Sequence, residues 1–98
     1  MEEILVGRIV YRAYRKTKFL YIRPYPNLHR EDLLNRLVSI RIVDGELAGT
    51  ILIARVKYYP SRKDYGVVFM LSHKMYSDIG QRYKGRVVRF KILDVLRG

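Results

Sequence analysis

The chain has 98 residues, a length that fits one domain spanning residues 1–98. Its formal net charge of +11 favours a polyanionic partner but does not determine the fold. An apolar content of 49% excludes a disordered chain. The absence of cysteine excludes disulfides, thiolate metal sites and a thiol nucleophile.

Alternation of apolar and polar residues is the dominant pattern along the chain. In the first such segment Ile9 and Tyr11 share one face, while Arg12 lies on the other. Strict alternation is typical of strands that bury one face, and here the outer face is repeatedly basic. Six segments are predicted as strands on this pattern or on their β-branched and aromatic content: 7–15, 19–23, 37–43, 50–59, 65–71 and 86–93.

Two short helices are predicted between the strands. In the first, Asn27 is the candidate cap of a segment whose acidic residues stand in the first turn, where they favour the helix dipole. In the second, Ser72 is the candidate cap, Met75 and Ile79 share a face, and Gly80 ends the helix.

Turns at Asp44-Gly45 and at residues 60–64 are expected to connect neighbouring strands. Six strands and two short helices in under 100 residues leave only short connections. The sequence therefore predicts a mainly β (α+β) domain, a small six-stranded β-barrel that is closed or partly open. Closure would remove the exposed edges that a small sheet otherwise offers to aggregation.

No residue pattern typical of catalysis occurs in the sequence. His29 and His73 belong to no pair with metal-ligand spacing. Glu31 and Asp32 are adjacent on a predicted helix, so they point to different sides and do not form an acid–base pair. There is also no Gly-rich phosphate loop and no nucleophile elbow. We therefore expect a protein that is not an enzyme, with no cofactor, no metal and no small-molecule substrate.

The segment YRAYRKTKF, residues 11–19, holds four cations, two tyrosines and no acid. Cations on a hairpin loop can contact phosphates, and Tyr14 can stack on unpaired bases; the alternative is a solvated turn. Tyr11 is expected to pack in the core, because it shares a face with Ile9. Tyr58, Tyr59 and Tyr65 belong either to the same surface or to a closed barrel end.

Cations recur along the rest of the chain, and Arg outnumbers Lys 13 to 7. A guanidinium holds phosphate with two hydrogen bonds and stacks on bases, so we expect nucleic acid as the partner, with RNA preferred and DNA as the alternative. The candidate nucleic-acid-binding residues are Arg8, Arg12, Tyr14, Arg15, Lys16, Lys18, Arg23, Arg41, Arg55, Lys57, Arg62, Lys63, Lys74, Arg82, Lys84, Arg86, Arg89 and Lys91.

The order of short motifs resembles the archaeal and eukaryotic large-subunit ribosomal protein family L-thirty-five-Ae. The motifs that carry the resemblance are Gly7-Arg8, Arg12 to Lys18, Ile22-Arg23-Pro24, Arg30-Glu31, Leu37-Val38, Gly49-Thr50-Ile51 and Gly66-Val67-Val68. The resemblance implies a small basic barrel of the translation-protein type that binds ribosomal RNA, with the basic loop and Arg23 as RNA contacts. Phe69-Met70-Leu71 stands where that family has Arg-x-Arg-Phe.

Two other classes of protein remain open. A strand, a short helix and a strand occur twice, with Ile40 to Asp44 matching Phe90 to Asp94 in residue type. This arrangement is similar to the swapped-hairpin barrel of AbrB-type DNA-binding regulators, which implies hairpin cations lying against a duplex. The third class is a small protein-interaction module, viral or cellular, that binds an acidic protein surface.

The acidic start, MEEILVG, is unlike a secretory leader, and the longest apolar run is far too short to span a bilayer. We therefore expect a cytoplasmic protein that does not bind membranes. Few Asn and Gln residues, no Cys and many charges fit a heat-adapted organism. The oligomeric state, a homodimer included, stays open.

Overall fold

The computed structural model describes residues 3–59 and 62–96. An α-helix, α1, spans Ser77–Tyr83, and a single 3-10 turn spans Glu31–Leu33. Within the described residues no helix has both the length and the apolar composition needed to cross a membrane. The six strands are β1 (Leu5–Tyr14), β2 (Thr17–Pro24), β3 (Leu37–Ile42), β4 (Ile51–Tyr59), β5 (Arg62–Leu71) and β6 (Val87–Leu96).

The strands form a closed antiparallel barrel in the order β1-β2-β5-β4-β3-β6, with β6 pairing back onto β1. This confirms the predicted mainly β fold with a six-stranded barrel. Of the two predicted forms, closed or partly open, the barrel has the closed form. Strands β3 and β4 pair on either side of the Asp44-Gly45 turn, as predicted. The second predicted turn is wrong at residues 62–64, which belong to β5. Its first two residues, Pro60 and Ser61, lie outside the described residues.

Alternate residues of every strand point into the barrel and form one core. Ile9, Ile40 and Phe90 are fully buried, and the rings of Phe69 and Phe90 meet edge to face with centroids 5.3 Å apart. Edge-to-face contact is a favoured geometry for aromatic pairs. The predicted packing of Tyr11 against the core is confirmed.

The first predicted helix is only the 3-10 turn at Glu31–Leu33. The reason lies at Leu28, whose carbonyl accepts a hydrogen bond from the Val67 amide of β5 at 2.8 Å. That carbonyl is therefore engaged by the barrel instead of by a helical N–H four residues later. The segment before the turn is held as irregular chain against the barrel.

The second predicted helix exists, but its position is shifted along the chain. Gly80 was predicted to end it and instead lies inside α1, where a Cβ atom would stand 2.8 Å from the Tyr11 ring. The lack of a side chain therefore allows α1 to approach β1. The buried face is formed by Tyr76, Ile79 and Tyr83, while Met75 is 70% exposed.

Candidate nucleic-acid interface

The β1–β2 hairpin carries cations at its tip. Tyr14 pairs with Thr17, so Arg15 and Lys16 form a two-residue turn. Arg15 has a φ of 57°, the left-handed conformation that tight hairpin turns of this length require. Both turn residues are exposed, and the Arg15 guanidinium lies 5.5 Å from the centroid of the Tyr14 ring. The sequence-predicted basic loop, Arg12 to Lys18, is therefore shorter than expected. Only Arg15 and Lys16 form the exposed tip, while Arg12 lies in β1 and Lys18 lies in β2.

The cations of this hairpin have no carboxylate partner among residues 3–59 and 62–96. The carboxylate pairs in these residues lie elsewhere: Arg30–Asp32, Arg86–Glu46 and Arg89–Asp44 are ion pairs, and the His29 ring lies 3.5 Å from Glu31. Arg12, Arg15, Lys16 and Lys18 are all exposed. Several like charges on one short hairpin repel one another, and a bound polyanion would relieve that repulsion.

Beside the hairpin, the outer faces of β1, β2, β5 and β4 form an open cavity of about 600 Å³, which we call the aromatic groove. Arg12 and Lys57 contribute the cations of its lining. Its apolar lining includes Tyr14, Phe19, Tyr21, Tyr59 and Met70. Tyr14 is 63% exposed and Phe19 is 36% exposed, so both rings are accessible to a ligand.

One wall of the aromatic groove is fixed by Asn35, which follows the 3-10 turn. Its backbone N–H donates to the Val56 carbonyl of β4 at 2.8 Å. Its own carbonyl accepts from Arg55, and its side-chain oxygen accepts from Lys57, each at 2.8 Å. These bonds hold residues 34–36 against β4, and they orient Lys57 at the groove.

Tyr21 lies on the outward face of β2 in the groove and is nevertheless only 4% exposed. Its ring meets the Tyr59 ring edge to face at 5.5 Å. Its hydroxyl makes no hydrogen bond of good geometry with a described residue, although the Tyr59 hydroxyl lies beside it. Burial, followed by this Tyr59 hydroxyl, raises the pKa of the Tyr21 phenol well above its ordinary value, and like any tyrosine it keeps its proton at neutral pH.

Arg23 was predicted as a nucleic-acid contact, and the structure places it inside a tyrosine cluster. Its guanidinium carbon lies 5.1, 4.4 and 5.1 Å from the ring centroids of Tyr25, Tyr59 and Tyr65. Arg62 approaches the other side of this cluster and donates to the Tyr65 hydroxyl at 3.2 Å. Cation–π contact of this kind stabilises the protein itself, so the Arg23 guanidinium is held within the tyrosine cluster, although its Nε is buried without a hydrogen-bond partner among the described residues.

A smaller hollow of about 200 Å³ lies on the other side of Arg12, where Lys18 and Lys84 join it. Arg12 lines both this hollow and the aromatic groove, and we call Arg12, Lys18 and Lys84 together the basic path. Next to the hollow, Arg8 donates to the Gly85 carbonyl at 2.8 Å. Arg82 and Arg86 flank the Tyr83 ring.

The remaining candidate residues do not line the groove or the hollow. Arg41 and Lys91 are paired neighbours on β3 and β6, the two strands that contribute nothing to the groove. Arg89 is bound to Asp44 at 2.9 Å. The others outside both cavities are Arg55, Arg62, Lys63 and Lys74. The sequence-predicted set is therefore spread over several faces, and only part of it gathers at the hairpin.

The sequence analysis did not identify the apolar floor of the groove. Phe19 and Tyr21 alternate with the buried Leu20 and Ile22, so they had to face outward on β2. The sequence signal that could have revealed this floor is the outward face of β2, which carries aromatic residues instead of charges. Met70 joins them because it pairs with Tyr21 across the β2–β5 contact, and that contact is not visible in a single sequence.

The fold and this surface define a small closed β-barrel with a cationic hairpin beside an aromatic groove. Among the described residues no three His, Asp or Glu side chains are grouped so that they could hold a metal ion. Comparison with protein-family models, with curated proteins and with solved structures finds no match to this chain.

Proposed function

We propose that this protein binds nucleic acid without catalysis, with RNA preferred, through the β1–β2 hairpin and the basic path beside it. The observation that carries the proposal is the set of hairpin cations that lack a carboxylate partner in the described chain. Phosphate oxygens would neutralise these cations and release bound counterions, which is the main source of affinity in such complexes.

The preference for RNA is supported by the chemistry of the same surface. Sequence-specific RNA recognition mostly targets unpaired bases, which stack on aromatic and guanidinium planes. Tyr14 and Arg15 offer both kinds of plane at the exposed tip, 5.5 Å apart. The L-thirty-five-Ae resemblance is consistent with RNA binding by the basic loop.

The test is a fluorescence anisotropy titration at salt concentrations between about 50 and 200 mM, where phosphate contacts change affinity steeply. The probes are a labelled RNA about 12 nucleotides long, within the site sizes of single-strand binding modules, and the DNA strand of the same sequence. We expect a log–log salt slope of about −3.5 for single-stranded RNA, because each phosphate contact contributes about −0.7. The five contacts are those at Arg12, Arg15, Lys16, Lys18 and Lys84.

The decisive variant is the double substitution Arg15→Ala and Lys16→Ala. It should reduce the salt slope by about 1.4 and the affinity at about 0.1 M salt on the order of 25-fold, because each lost contact is worth about 10^0.7 at that concentration. The matched control is Arg41→Ala with Lys74→Ala, which removes the same two residue types from exposed positions outside the groove and the hollow.

A flat salt dependence, or equal losses in the two double variants, would contradict the proposal. Tighter binding to a palindromic DNA duplex than to either single strand, together with dimerisation, would instead assign the protein to the AbrB-like class. Both variants should keep the melting temperature, since exposed substitutions change stability by only about 0.5 kcal/mol.

A further inference from the structure

We propose that the aromatic groove binds unpaired nucleotide bases by stacking, so that the protein selects single strands over duplexes. This inference rests on the proposed function. The hairpin cations account for attraction to any phosphate backbone, whereas the groove adds a requirement that a duplex cannot meet. Bases in a duplex are stacked on one another, and their faces are not accessible to a protein ring.

The two accessible rings of the groove are neighbours on one face of the β1–β2 hairpin. Arg12 pairs with Phe19 and Tyr14 pairs with Thr17, so Tyr14 and Phe19 stand diagonally across the strand pair. Diagonal neighbours lie about 7–8 Å apart, within reach of one another's large side chains. A base that enters the groove at this point meets the faces or edges of two aromatic rings.

The cations of the groove lining match a nucleotide better than they match an apolar peptide. Arg12 lies directly opposite Phe19, and Lys57 lines the groove from β4. A phosphate on either side of a stacked base can reach one of these charges. Lys18 and Lys84 line the hollow on the other side of Arg12, so a backbone that leaves the groove past Arg12 would meet these two charges.

The floor of the groove offers a buried polar group that the fold satisfies poorly. The hydroxyl of Tyr21 lies beside the Tyr59 hydroxyl but makes no hydrogen bond of good geometry with a described residue. Buried polar groups without a partner are rare, because their desolvation is costly. A carbonyl or ring nitrogen of a bound base would accept a hydrogen bond from this hydroxyl.

The experiment compares wild type with the variants Tyr14→Ala and Phe19→Ala in anisotropy titrations. The probes are a labelled single-stranded RNA, the blunt duplex of the same sequence, an abasic oligonucleotide of equal charge, and polyglutamate. Each variant should lose roughly 5- to 150-fold in affinity for the single strand, the range found when a stacking ring is removed. Its salt slope and its affinities for the duplex and the abasic strand should stay unchanged.

The matched control is Tyr25→Ala, which removes a 42% exposed tyrosine that does not line the groove. Circular dichroism establishes that all variants are folded. Equal losses for the single strand and the abasic strand, or no loss at all, would overturn the inference. So would polyglutamate binding that weakens in both groove variants, because it would assign the groove to an acidic protein partner.

The outcomes also separate this inference from the proposed function. If wild type binds none of the nucleic-acid probes with salt dependence, both proposals fail. If wild type binds single strand, duplex and abasic strand alike, and Tyr14→Ala leaves all three affinities unchanged, only the groove inference fails. Loss confined to the base-containing single strand supports both.

Discussion

Replacing Gly66 with Ala should strongly destabilise the protein, because Gly66 lies where β5 contacts Leu28 in the irregular segment before the 3-10 turn. An added Cβ would stand 2.3 Å from the Leu28 carbonyl oxygen, and the residue has a φ of +75°. The left-handed conformation costs Ala about 1–2 kcal/mol, and overpacking costs about 1–3 kcal/mol more. The backbone fixes the position of this Cβ, and its neighbours in Leu28 are backbone atoms, so a rotamer change does not relieve the contact.

We therefore expect Gly66→Ala to lose about 2–5 kcal/mol in the free energy of unfolding. For a domain of this size each kcal/mol corresponds to about 4–8 °C, so the melting temperature should fall by at least roughly 10 °C. The assay is urea and thermal denaturation followed by circular dichroism. The fall should come with weaker single-strand binding at temperatures where the variant is still folded, because Leu34 and Asn35 line the groove.

The control is Gly45→Ala, which isolates the conformational cost. Gly45 has a φ of +79°, but a Cβ there would have no atom within 4 Å. It should lose only about 1–2 kcal/mol. If the two variants lost equal stability, the close approach of Leu28 to Gly66 would be refuted, and with it the explanation for the short 3-10 turn.

Three further predictions concern the core, the tyrosine cluster and pH. Phe69→Ala should cost about 3–5 kcal/mol in urea denaturation, since the ring is fully buried against Phe90; a loss below 1 kcal/mol would contradict the core described above. Arg23→Lys should cost about 1 kcal/mol of stability, because ammonium replaces a planar guanidinium among three rings. It should leave the RNA affinity unchanged. Unchanged stability with a lower RNA affinity would make Arg23 a phosphate contact. The pKa of Tyr21 is raised by burial from its ordinary 10.0, so the native state holds that proton more tightly than the unfolded chain. Its contribution to stability is complete below pH 10 and is lost as the pH rises above that value, and Tyr21→Phe should reduce this alkaline loss in denaturation curves measured at increasing pH.

The period-two pattern predicted the strands well because burial on one face imposes that period. Ile9 and Ile40 point inward as the alternation required, and Arg8 and Arg12 point outward. The hairpin tip at Arg15 was also accessible to sequence reasoning, since a short turn between two alternating segments leaves its side chains in solvent. These features depend only on residues that are close in sequence.

The groove depends on contacts between residues that are far apart in sequence. Strand β5 pairs with β2 as well as β4, and only this neighbourhood brings Met70 to Tyr21. No local pattern distinguishes that order of strands from others. The same limit explains the first helix, since the Leu28 carbonyl is engaged by Val67 across the chain. The sequence also could not show whether the cations gather on one surface or spread over several, because that too depends on the order of the strands.

Amide chemical-shift mapping locates the nucleic-acid-binding face, which we propose is formed by the hairpin and the aromatic groove. Isotope-labelled protein is titrated with single-stranded RNA, and the changes are followed residue by residue in heteronuclear NMR spectra. We expect the largest changes at Arg12 to Phe19, with further changes at Lys57 and Met70. Largest changes at Ser39 and Arg41 of β3, or none at saturating RNA, would contradict it.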